Sequence, residues 1–380
     1  MKKFNPRMFL KRIACICLKY KILRGIWSSI VSMLTINNSQ HTNDYQEIVA
    51  YVNEYRPTKL ESSIFTVHNY SEENRNDLDI IIPVYNVAQH VSECVDSILG
   101  QKTKYRFRII LVEDGSTDGS DKIIKKYEQS PQVKIISQNN QGLSGARNTG
   151  LEIVNSSYVM FVDSDDRMPS GSLDNLLDLA FRVDADLVEG SYSEFSDGHI
   201  LKKFIHKDTD KANTNSLYGY AWGKLIKTDY FLNLQFPVGY LFEDTIFTFI
   251  LYNLVNKVVT TSYIVYEYRI NQNGINLSSK GNYSRIDTFW VTQLIMNEIS
   301  LFGIEKNEKL YEILLNQLIV NGRRLLQVQP LALQKSVFEL SAKEIQKNWL
   351  NIPVTNELEQ IEQIFLKEKF SNYLLYCLSM

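Results

Sequence analysis

Three carboxylates stand within four positions where an apolar stretch ends, in the sequence YVMFVDSDDR at residues 158–167. The apolar residues predict a buried strand, and Asp163, Asp165 and Asp166 follow it directly. Like charges this close repel one another, and an unpaired carboxylate beside a core is costly. Because Mg²⁺ and Mn²⁺ prefer carboxylate, phosphate and water oxygens, a divalent cation that bridges to a phosphorylated ligand would explain these acids.

Polar groups also end three further apolar stretches of the same region. Pro83 and Tyr85 end DIIIPVY, Glu113 and Asp114 end FRIILVED, and the segment NNQGLSGARN follows VKIIS. Arg147, one turn into the helix that this segment opens, and the N-terminus of that helix would both attract phosphate. A single Asp-Gly-Ser is most often only a turn, but polar groups at four consecutive strand ends predict a ligand site.

Alternating strands and helices would bring these ends together. From Asp79 onward, apolar segments alternate with helical segments, which predicts an α/β fold with an open, mostly parallel, doubly wound sheet. The carboxyl ends of its strands share one edge, where ligands bind. The polar residues 37–77 predict a linker or a loosely packed collar with a short helix near Tyr45 to Tyr55. Beyond about Gly274 the pattern predicts helices.

Composition and charge narrow the function classes. The 380 residues allow one large domain with additions or two domains. The net charge of −2 offers no general attraction for nucleic acid, so no nucleic-acid partner is expected. The four cysteines form neither a CxxC pair nor zinc-ligand spacing, and a reducing cytosol fits them best.

The first residues differ in charge from the rest of the chain. Between Lys2 and Arg24 there are eight Lys and Arg, and no acid precedes Asp44. Apolar residues from Phe9 to Leu34 recur in steps of three and four, which places them on one helical stripe. The charges that interrupt this stripe argue against a spanning helix and against a secretory signal. Two interpretations remain, a basic amphipathic helix on an anionic membrane surface and a helix packed on the body of the protein.

The motifs together resemble a known family. DIIIPVYN, VEDGSTDGS, NQGLSGARNTGL and VMFVDSDDRMPSGSL, in this order and spacing, are similar to the family 2 glycosyltransferases with the GT-A fold, over roughly residues 78–270. AWGKLIKTDYF and FPVGYLFEDTIF resemble acceptor-side segments of the bacterial polysaccharide-assembly members. YEYRINQNGIN is similar to the closing Tyr-Arg segment of the family, although Gly274-Ile275 stands where the family often has Gly-Ser.

The resemblance implies an architecture and a set of donor-side residues. A Rossmann-like GT-A domain would occupy residues 78–275, after an N-terminal amphipathic helix and linker at 1–77 and before a helical C-terminal region at 276–380. Asp163 would lie towards the ribose and would share a Mn²⁺ or Mg²⁺ ion with Asp165, while Asp166 would support this pair or share the metal. The residues implied for the nucleotide-sugar are Pro83, Tyr85, Glu113, Asp114, Arg147 and Asp163.

The resemblance also implies a general base. A sugar hydroxyl must lose its proton as it attacks the anomeric carbon, and a positioned carboxylate accepts it. Asp244 would take this role, with Glu243 as its rival, although acids are favoured at any helix N-terminus. The residues implied on the acceptor side are Trp222, Lys224, Tyr268 and Arg269. Core packing is the alternative for Trp222, and a surface charge is the alternative for Lys224.

The expected function is therefore an inverting, metal-dependent transfer of a sugar from a nucleotide donor, UDP by preference, to a hydroxyl of a glycan acceptor. Family context suggests an acceptor on a lipid carrier, in capsule or exopolysaccharide synthesis, at the inner face of the cytoplasmic membrane. One alternative is an aspartyl-phosphate phosphatase, but Arg167 stands where DxDx(T/V) requires Thr or Val. The other is an inactive, glycosyltransferase-like binding subunit. The sequence does not fix the sugar.

Overall fold

A single mixed sheet organises the chain. The computed structural model describes residues 11, 14–17, 20–36, 44–57, 62–70, 75–271 and 283–380. Its eight strands lie in the order β3-β2-β1-β4-β7-β5-β6, with β8 paired to β5. The strands are β1 (Asn76–Val84), β2 (Phe107–Glu113), β3 (Val133–Ser137), β4 (Ser156–Phe161), β5 (Leu187–Ser196), β6 (His199–Phe204), β7 (Lys224–Lys227) and β8 (Val258–Arg269).

Helices flank this sheet and make up the C-terminal region. A π-helical segment, Phe247–Leu251, precedes the one-turn helix α7. The α-helices are α1 (Lys21–Ile36), α2 (Tyr45–Asn53), α3 (Val91–Leu99), α4 (Ser120–Ile124), α5 (Gly142–Leu151), α6 (Ser172–Val183), α7 (Tyr252–Leu254), α8 (Asp287–Glu298), α9 (Glu308–Leu325), α10 (Leu331–Asn348), α11 (Asn356–Leu366) and α12 (Phe370–Ser379).

The first four strands confirm the predicted parallel sheet. β1 pairs in parallel with β2 and β4, and β2 pairs in parallel with β3. β1 begins at Asn76, three residues before Asp79. The strand can include the buried carboxylate of Asp79 because Arg108 on the adjacent strand neutralises it. The Arg108 Nε and Nη2 atoms lie 2.9 and 2.8 Å from its two oxygens. The carboxyl ends of β1, β2 and β4 therefore share one edge, as predicted.

The other half of the sheet is mixed rather than parallel. β7 lies between β4 and β5 and runs antiparallel to both, and the edge strand β6 is antiparallel to β5. Only β8 continues the parallel pairing, against β5. β7 has four residues with lysine at each end, so it lacks the apolar run that marks a buried strand. This insertion separates the predicted fourth and fifth strands.

The two faces of the sheet are covered by different helices. Along β1, Ile80 and Ile82 join a core with α3 and α6, whereas Ile81 joins a core with α5. This second core continues without a break into the C-terminal helices, for example through Phe338. The predicted helical C-terminal region is thus packed on the sheet, although the predicted boundary at residue 275 lies outside the described residues.

The segments before the sheet are anchored to this body. The predicted short helix is present as α2, and its neighbour, residues 62–70, is held more firmly than a loose collar. Glu298 Oε2 accepts hydrogen bonds from Ser63 Oγ at 2.8 Å and from the Ile64 N–H at 2.9 Å. Phe65 forms a β-bridge with Leu234. The polar composition of this segment thus gave no indication of its contacts with α8 and Leu234.

Helix α1 is packed at some positions of its apolar stripe and exposed at others. Trp27 Nε1 donates to the Ser371 carbonyl on α12 at 2.9 Å, and Val31 is buried. Beside these packed positions an apolar row remains exposed, continuing from residues 14–17 into α1 and consisting of Ile16, Tyr20, Leu23, Ile26 and Ile30. Phe9 and Ile13 lie outside the described residues. In the described part of the chain, no helix has the length and apolarity needed to cross a membrane.

Candidate active site

Asp166 is the deepest acid of the DSDD turn that follows β4. It has no exposed surface, and its two oxygens accept hydrogen bonds from the Tyr266 hydroxyl and the Arg269 N–H, both at 2.7 Å. Burial, followed by the charges of Asp165 and Asp163, raises the pKa of Asp166 well above its usual value. The Tyr266 hydroxyl also accepts from the Asp163 N–H at 3.0 Å. Asp166 therefore ties the turn to β8.

Asp163 and Asp165 are the acids of the turn that remain partly exposed. Asp163 Oδ1 accepts from Arg147 Nη2 at 2.9 Å. Burial and the negative charge of Asp163 raise the pKa of Asp165 to about 6, against the opposing effects of Asn271 and Arg269. Arg269 Nε donates to the Asp165 carbonyl at 2.6 Å, and not to its carboxylate. The guanidinium that pairs with Asp163 is shared with Glu243, so the carboxylates at the sheet edge outnumber the positive charge of Arg147.

This donor set fits a cation that takes its other ligands from elsewhere. Within the described ranges, no group of three or more His, Cys, Asp or Glu side chains is arranged to hold a metal. Mg²⁺ is usually held by one or two carboxylates, with water and substrate phosphate completing its shell. Asp163 and Asp165 fit this pattern, whereas the oxygens of Asp166 are already hydrogen-bonded inside the protein.

The acids that end β2 organise the neighbouring loops. Asp114 is buried, and its Oδ1 accepts from Gln138 Nε2 at 2.7 Å and from the Gln141 N–H at 2.8 Å. Its Oδ2 accepts from the Gly142 N–H, the first residue of α5, at 2.9 Å. Glu113 is also buried. Asp114 thus fixes the start of α5 against the sheet edge.

The end of β1 presents one exposed ring beside these loops. Pro83 is buried and pairs with Val112 of β2, whereas Tyr85 is 48% exposed. The next residue, Asn86, has a positive φ of 51° and accepts from the Thr117 N–H at 2.8 Å through Oδ1. Asparagine tolerates this left-handed backbone better than most residues. The interlocked loops leave Tyr85 at the rim, where a flat ligand could contact it.

Arg147 joins two acidic segments that are far apart in sequence. Its Nη2 contacts Asp163, and its Nη1 lies 2.6 Å from Glu243 Oε1. The guanidinium is buried and lies 5.2 Å from the Phe236 ring centroid. Burial lowers the pKa of Arg147, but the charges of Asp163 and Glu243 outweigh this effect and raise it above the usual value. Arg147 therefore places the FED segment beside the DSDD turn.

Asp244 lies in the first turn of the helical segment that follows Phe242. The N–H groups of Thr245 and Phe247 donate to the carbonyls of Phe242 and Asp244 at 3.1 and 3.0 Å. Burial, and then the charge of Glu243, raises the pKa of Asp244 to about 7. A group with this pKa can accept a proton at neutral pH. Asp244 is thus unlike an ordinary solvated acid at a helix N-terminus.

An aromatic stack lies next to Asp244. Trp222 is buried, and its ring is stacked on Tyr266 at 4.5 Å, on Tyr220 at 4.6 Å and on Tyr268 at 5.4 Å. Tyr220 is 42% exposed, and burial together with the charge of Asp244 raises its pKa. Tyr220 was not predicted from the sequence. The available signal was its spacing from Trp222, because residues two positions apart in an extended segment lie on the same face.

Lys224 lies in the interior, beside the rings of Phe247 and Tyr252, and not on the surface. It has no exposed surface, and its Nζ is 2.5 Å from Glu189 Oε2. The same ammonium donates to the Tyr252 hydroxyl at 2.8 Å and to the Tyr218 carbonyl at 2.7 Å. Burial lowers the pKa of Lys224. The alternative of a surface charge is therefore wrong, because Lys224 is paired with Glu189 inside the protein.

Arg269 is turned towards the acids of the DSDD turn. Besides its bond to the Asp165 carbonyl, its Nη2 lies 2.5 Å from Glu93 Oε2, and Glu93 Oε1 is 2.6 Å from Arg167 Nη1. Arg167 Nε in turn contacts Glu267 at 2.5 Å. These charges hold the turn between α3 and β8. A direct acceptor contact by Arg269 stays a prediction.

The C-terminal region contributes a charged group that the sequence analysis also missed. Arg324 of α9 lies with its guanidinium carbon 3.7 Å from the Phe242 ring centroid. Its Nη1 donates to Thr288 Oγ1 at 2.8 Å. Among the positive charges that lower the pKa of Asp244, that of Arg324 has the largest effect. The sequence gives no signal for the position of Arg324, because two arginines stand side by side and nothing in their type shows that Arg323 is exposed and Arg324 is not.

Comparison with known proteins identifies similar chains. A family model described as glycosyl transferase family 2 matches residues 79–235. Glycosyltransferase GlyA of Streptococcus pneumoniae serotype 4 is 34% identical over 274 residues, which cover 65% of this chain and 38% of GlyA. Glycosyltransferase GlyG of the same organism is 30% identical over 212 residues, which cover 50% of this chain and 70% of GlyG. The chain thus spans well under half of GlyA.

The fold has counterparts among solved structures. The crystal structure of S. aureus TarS 1-349 in complex with UDP-GlcNAc superposes with a TM-score of 0.60. The match covers 78% of this chain and 89% of that chain, at 19% sequence identity. At this identity the likeness concerns the fold, which agrees with the predicted GT-A architecture.

Proposed function

Because the chain belongs to glycosyltransferase family 2 and is therefore a transferase, we propose that it moves a sugar from a UDP-sugar to a glycan hydroxyl with inversion of the anomeric centre. One observation carries this proposal. Arg147 contacts Asp163 at 2.9 Å and Glu243 at 2.6 Å, so the acids of the sheet edge and the candidate base Asp244 form a single site. Donor binding and proton removal would then take place side by side.

The donor would lie along the ends of β1, β2 and β4. The exposed ring of Tyr85 would contact the uracil base, while Asp114 keeps the start of α5 in place. Asp163 would face the ribose and the metal. The likeness to the fold of TarS, whose crystal structure contains UDP-GlcNAc, supports a UDP-sugar as the first donor class to examine.

Asp163 and Asp165 would hold a Mn²⁺ or Mg²⁺ ion. Such an ion supplies positive charge that stabilises the departing diphosphate. The raised pKa of Asp165, about 6, is caused by burial and by Asp163, and a cation at this carboxylate would offset both effects. Asp166, Tyr266 and Arg269 would position the turn without contacting the ion.

Asp244 would accept the proton of the attacking hydroxyl. Its pKa of about 7 suits this role, since a base works best when its pKa is near the operating pH. Glu243 is less suited because its Oε1 is paired with Arg147. One base and a direct displacement would invert the anomeric centre, and no second carboxylate would be needed as a nucleophile.

The acceptor would approach over the aromatic stack. Tyr220 is its exposed ring beside Asp244, whereas Trp222 is stacked behind it and buried. An aromatic face of this kind suits the apolar face of a sugar ring. We propose a growing glycan on a lipid carrier as the acceptor, at the inner face of the cytoplasmic membrane, as part of capsule or exopolysaccharide synthesis.

A turnover assay with a panel of UDP-sugars tests this function against its alternatives. We expect one UDP-sugar to release UDP when Mn²⁺ or Mg²⁺ is present, slowly to water and faster with a lipid-linked acceptor, and a chelator to stop the release. Release of inorganic phosphate from phosphoesters would instead indicate the phosphatase. Binding of UDP-sugars without turnover in any combination would indicate the inactive binding subunit.

The exposed apolar row that runs from Ile16 to Ile30, before and along α1, should dock the enzyme to anionic membranes. Its members Ile16, Tyr20, Leu23, Ile26 and Ile30 are between 36% and 60% exposed, next to a strongly basic N-terminal sequence. Each Lys or Arg near an anionic leaflet contributes about 1 kcal/mol to the free energy of membrane binding. Salt screens this electrostatic contribution but not the contribution from burial of apolar side chains. Replacing the five residues by serine should weaken co-sedimentation with phosphatidylserine vesicles, most of all in high salt, which screens the remaining basic residues, while leaving UDP release intact.

Two exposed leucines in the C-terminal region provide the matched control. Leu301 and Leu350 are 56% and 53% exposed, so their replacement by serine removes apolar surface of the same kind elsewhere, to be compared with the effect per residue of the five-serine variant. Substitution is preferable to deletion of residues 1–36, because deletion would also uncover the surface against which Trp27 packs. Equal vesicle binding by the five-serine variant and the wild-type protein would refute the membrane proposal.

A further inference from the structure

The segment that carries Asp244 begins with a strained residue. Phe242 has a φ of +65°, in the left-handed region that bulky side chains rarely adopt. Such residues persist only where the surrounding structure holds them, and they concentrate at functional sites. The position of Asp244, two residues later, depends on this turn.

The C-terminal helices hold the turn from two sides. The Leu241 N–H donates to Asp287 Oδ2 at the start of α8 at 3.0 Å. The Arg324 guanidinium of α9 stacks on the Phe242 ring at 3.7 Å. Neither contact comes from the sheet, so the helices beyond residue 283 are structurally part of the site.

Arg324 is itself oriented by a buried polar chain. Its Nη1 donates to Thr288 Oγ1 at 2.8 Å, and the Thr288 hydroxyl donates to Asn321 Oδ1 at 2.6 Å. Thr288 and Asn321 are buried. A guanidinium fixed at one edge by such a chain and on one face by a ring has little freedom to leave the site.

We infer that Arg324 is a positioning residue of the active site, which fixes the Phe242 turn from the C-terminal helices and places a positive charge beside the Asp244 carboxylate. The inference rests on the proposed role of Asp244 and gives the C-terminal region a part in the reaction. Arg324 would not contact the transferred sugar. It would keep the base charged and correctly placed.

The charges around Asp244 support this role. Glu243 raises its pKa, whereas Arg324, Arg147 and Lys224 lower it, with Arg324 first among them. Arg147 is paired with two carboxylates and Lys224 with Glu189, so both are largely neutralised.

Other titratable groups face the same region. Tyr220 and Tyr252 border Asp244, and burial raises the pKa of each hydroxyl. Burial lowers the pKa of Arg324 to about 10, the charge of Asp244 opposes this shift, and Arg285 adds to it. At neutral pH both tyrosines are therefore uncharged and Arg324 is charged, so its removal would change the charge next to Asp244.

The sign of the effect follows from linkage. A positive neighbour favours the carboxylate, so its loss raises the pKa of Asp244, and the base form is then present only at higher pH. Replacing Arg324 with glutamine should move the acid limb of the kcat/KM profile upward by about one pH unit. The activity lost should accordingly be about tenfold larger at pH 6 than at pH 9. Donor affinity, measured by titration calorimetry with UDP and Mn²⁺, should not change.

Three further variants separate charge from packing. Arg324→Lys restores the charge but not the planar stack, so its acid limb should return towards the wild-type position while kcat stays reduced. Arg324→Met keeps an apolar stem on Phe242 and replaces the glutamine variant if that one does not fold. Arg323→Gln, the exposed neighbour on the same helix, should match the wild-type protein at every pH.

An equal loss of activity at all pH values, with Arg324→Lys no better than Arg324→Gln, would overturn the inference and leave Arg324 a purely structural residue. Asp244→Asn distinguishes this failure from failure of the proposed function. If Asp244→Asn is inactive and the acid limb does not move in Arg324→Gln, only the role of Arg324 is wrong. If Asp244→Asn keeps wild-type activity, the proposed base is wrong.

Discussion

Asp244→Asn should lower turnover by about 10² to 10⁴ while leaving donor binding nearly unchanged, the range expected for a lost general base. Asparagine keeps the shape of aspartate but cannot accept the proton of the attacking hydroxyl. In the wild-type enzyme, activity should fall as the pH drops through about 7, because burial and Glu243 raise the pKa of Asp244 to that value and only the deprotonated form is a base. Steady-state kinetics across pH, beside calorimetry with UDP and Mn²⁺, measure both quantities.

Glu243→Gln is the matched control for this variant. It keeps the hydrogen-bonding shape next to Arg147 but removes the ion pair at 2.6 Å. It also removes the negative charge that raises the pKa of Asp244, so the acid limb should move to lower pH and much of the activity should remain. A larger loss in Glu243→Gln than in Asp244→Asn would transfer the role of base to Glu243.

Asp165→Ala should reduce metal-stimulated turnover by about 10² to 10³, since stabilisation of a leaving diphosphate by a metal is worth several kcal/mol and each 1.36 kcal/mol is tenfold in rate. The fold should survive, because the described contacts of the turn run mainly through Asp166 and the main chain. Titration of Mn²⁺ into protein with UDP, followed by calorimetry, should show much weaker metal binding than in the wild-type protein.

Asp166→Asn serves as the contrasting variant, because the same turn is altered at a buried position. Asparagine cannot satisfy the Tyr266 and Arg269 donors in the same way, so thermal unfolding should shift to lower temperature. Asp197→Asn, on an exposed turn between β5 and β6, controls for the general effect of removing a carboxylate. Wild-type turnover by Asp165→Ala in the presence of a chelator would rule out the metal proposal.

The sheet edge was predictable because strand periodicity and strand ends are local properties of a sequence. Apolar runs placed β1, β2 and β4, and the acids that follow them meet because parallel strands share one edge. β7 was missed because its four residues carry lysine at both ends. Its position between β4 and β5 results from long-range pairing, which no local pattern encodes.

The parts of the site that escaped prediction all depend on contacts between distant segments. Arg147 was expected near the nucleotide base or the phosphates, which stays a prediction, but its contacts with both Asp163 and Glu243 were not foreseen. Lys224 reads as a surface charge in sequence, yet Glu189 neutralises it in the core. Arg324 comes from a helix that has no motif. In each case the neutralising or stacking partner is far away in the chain, so residue type alone could not indicate burial.

The anomeric configuration of the product tests the central claim most directly. The UDP-sugar selected in the turnover assay, with an α-linked sugar, would be incubated with Mn²⁺ and acceptor, and the anomeric proton of the new linkage would be followed by NMR. Direct displacement with Asp244 as base predicts a β-linked product formed in step with UDP. An α-linked product, or UDP release with no glycosidic bond formed to any acceptor, would contradict this account.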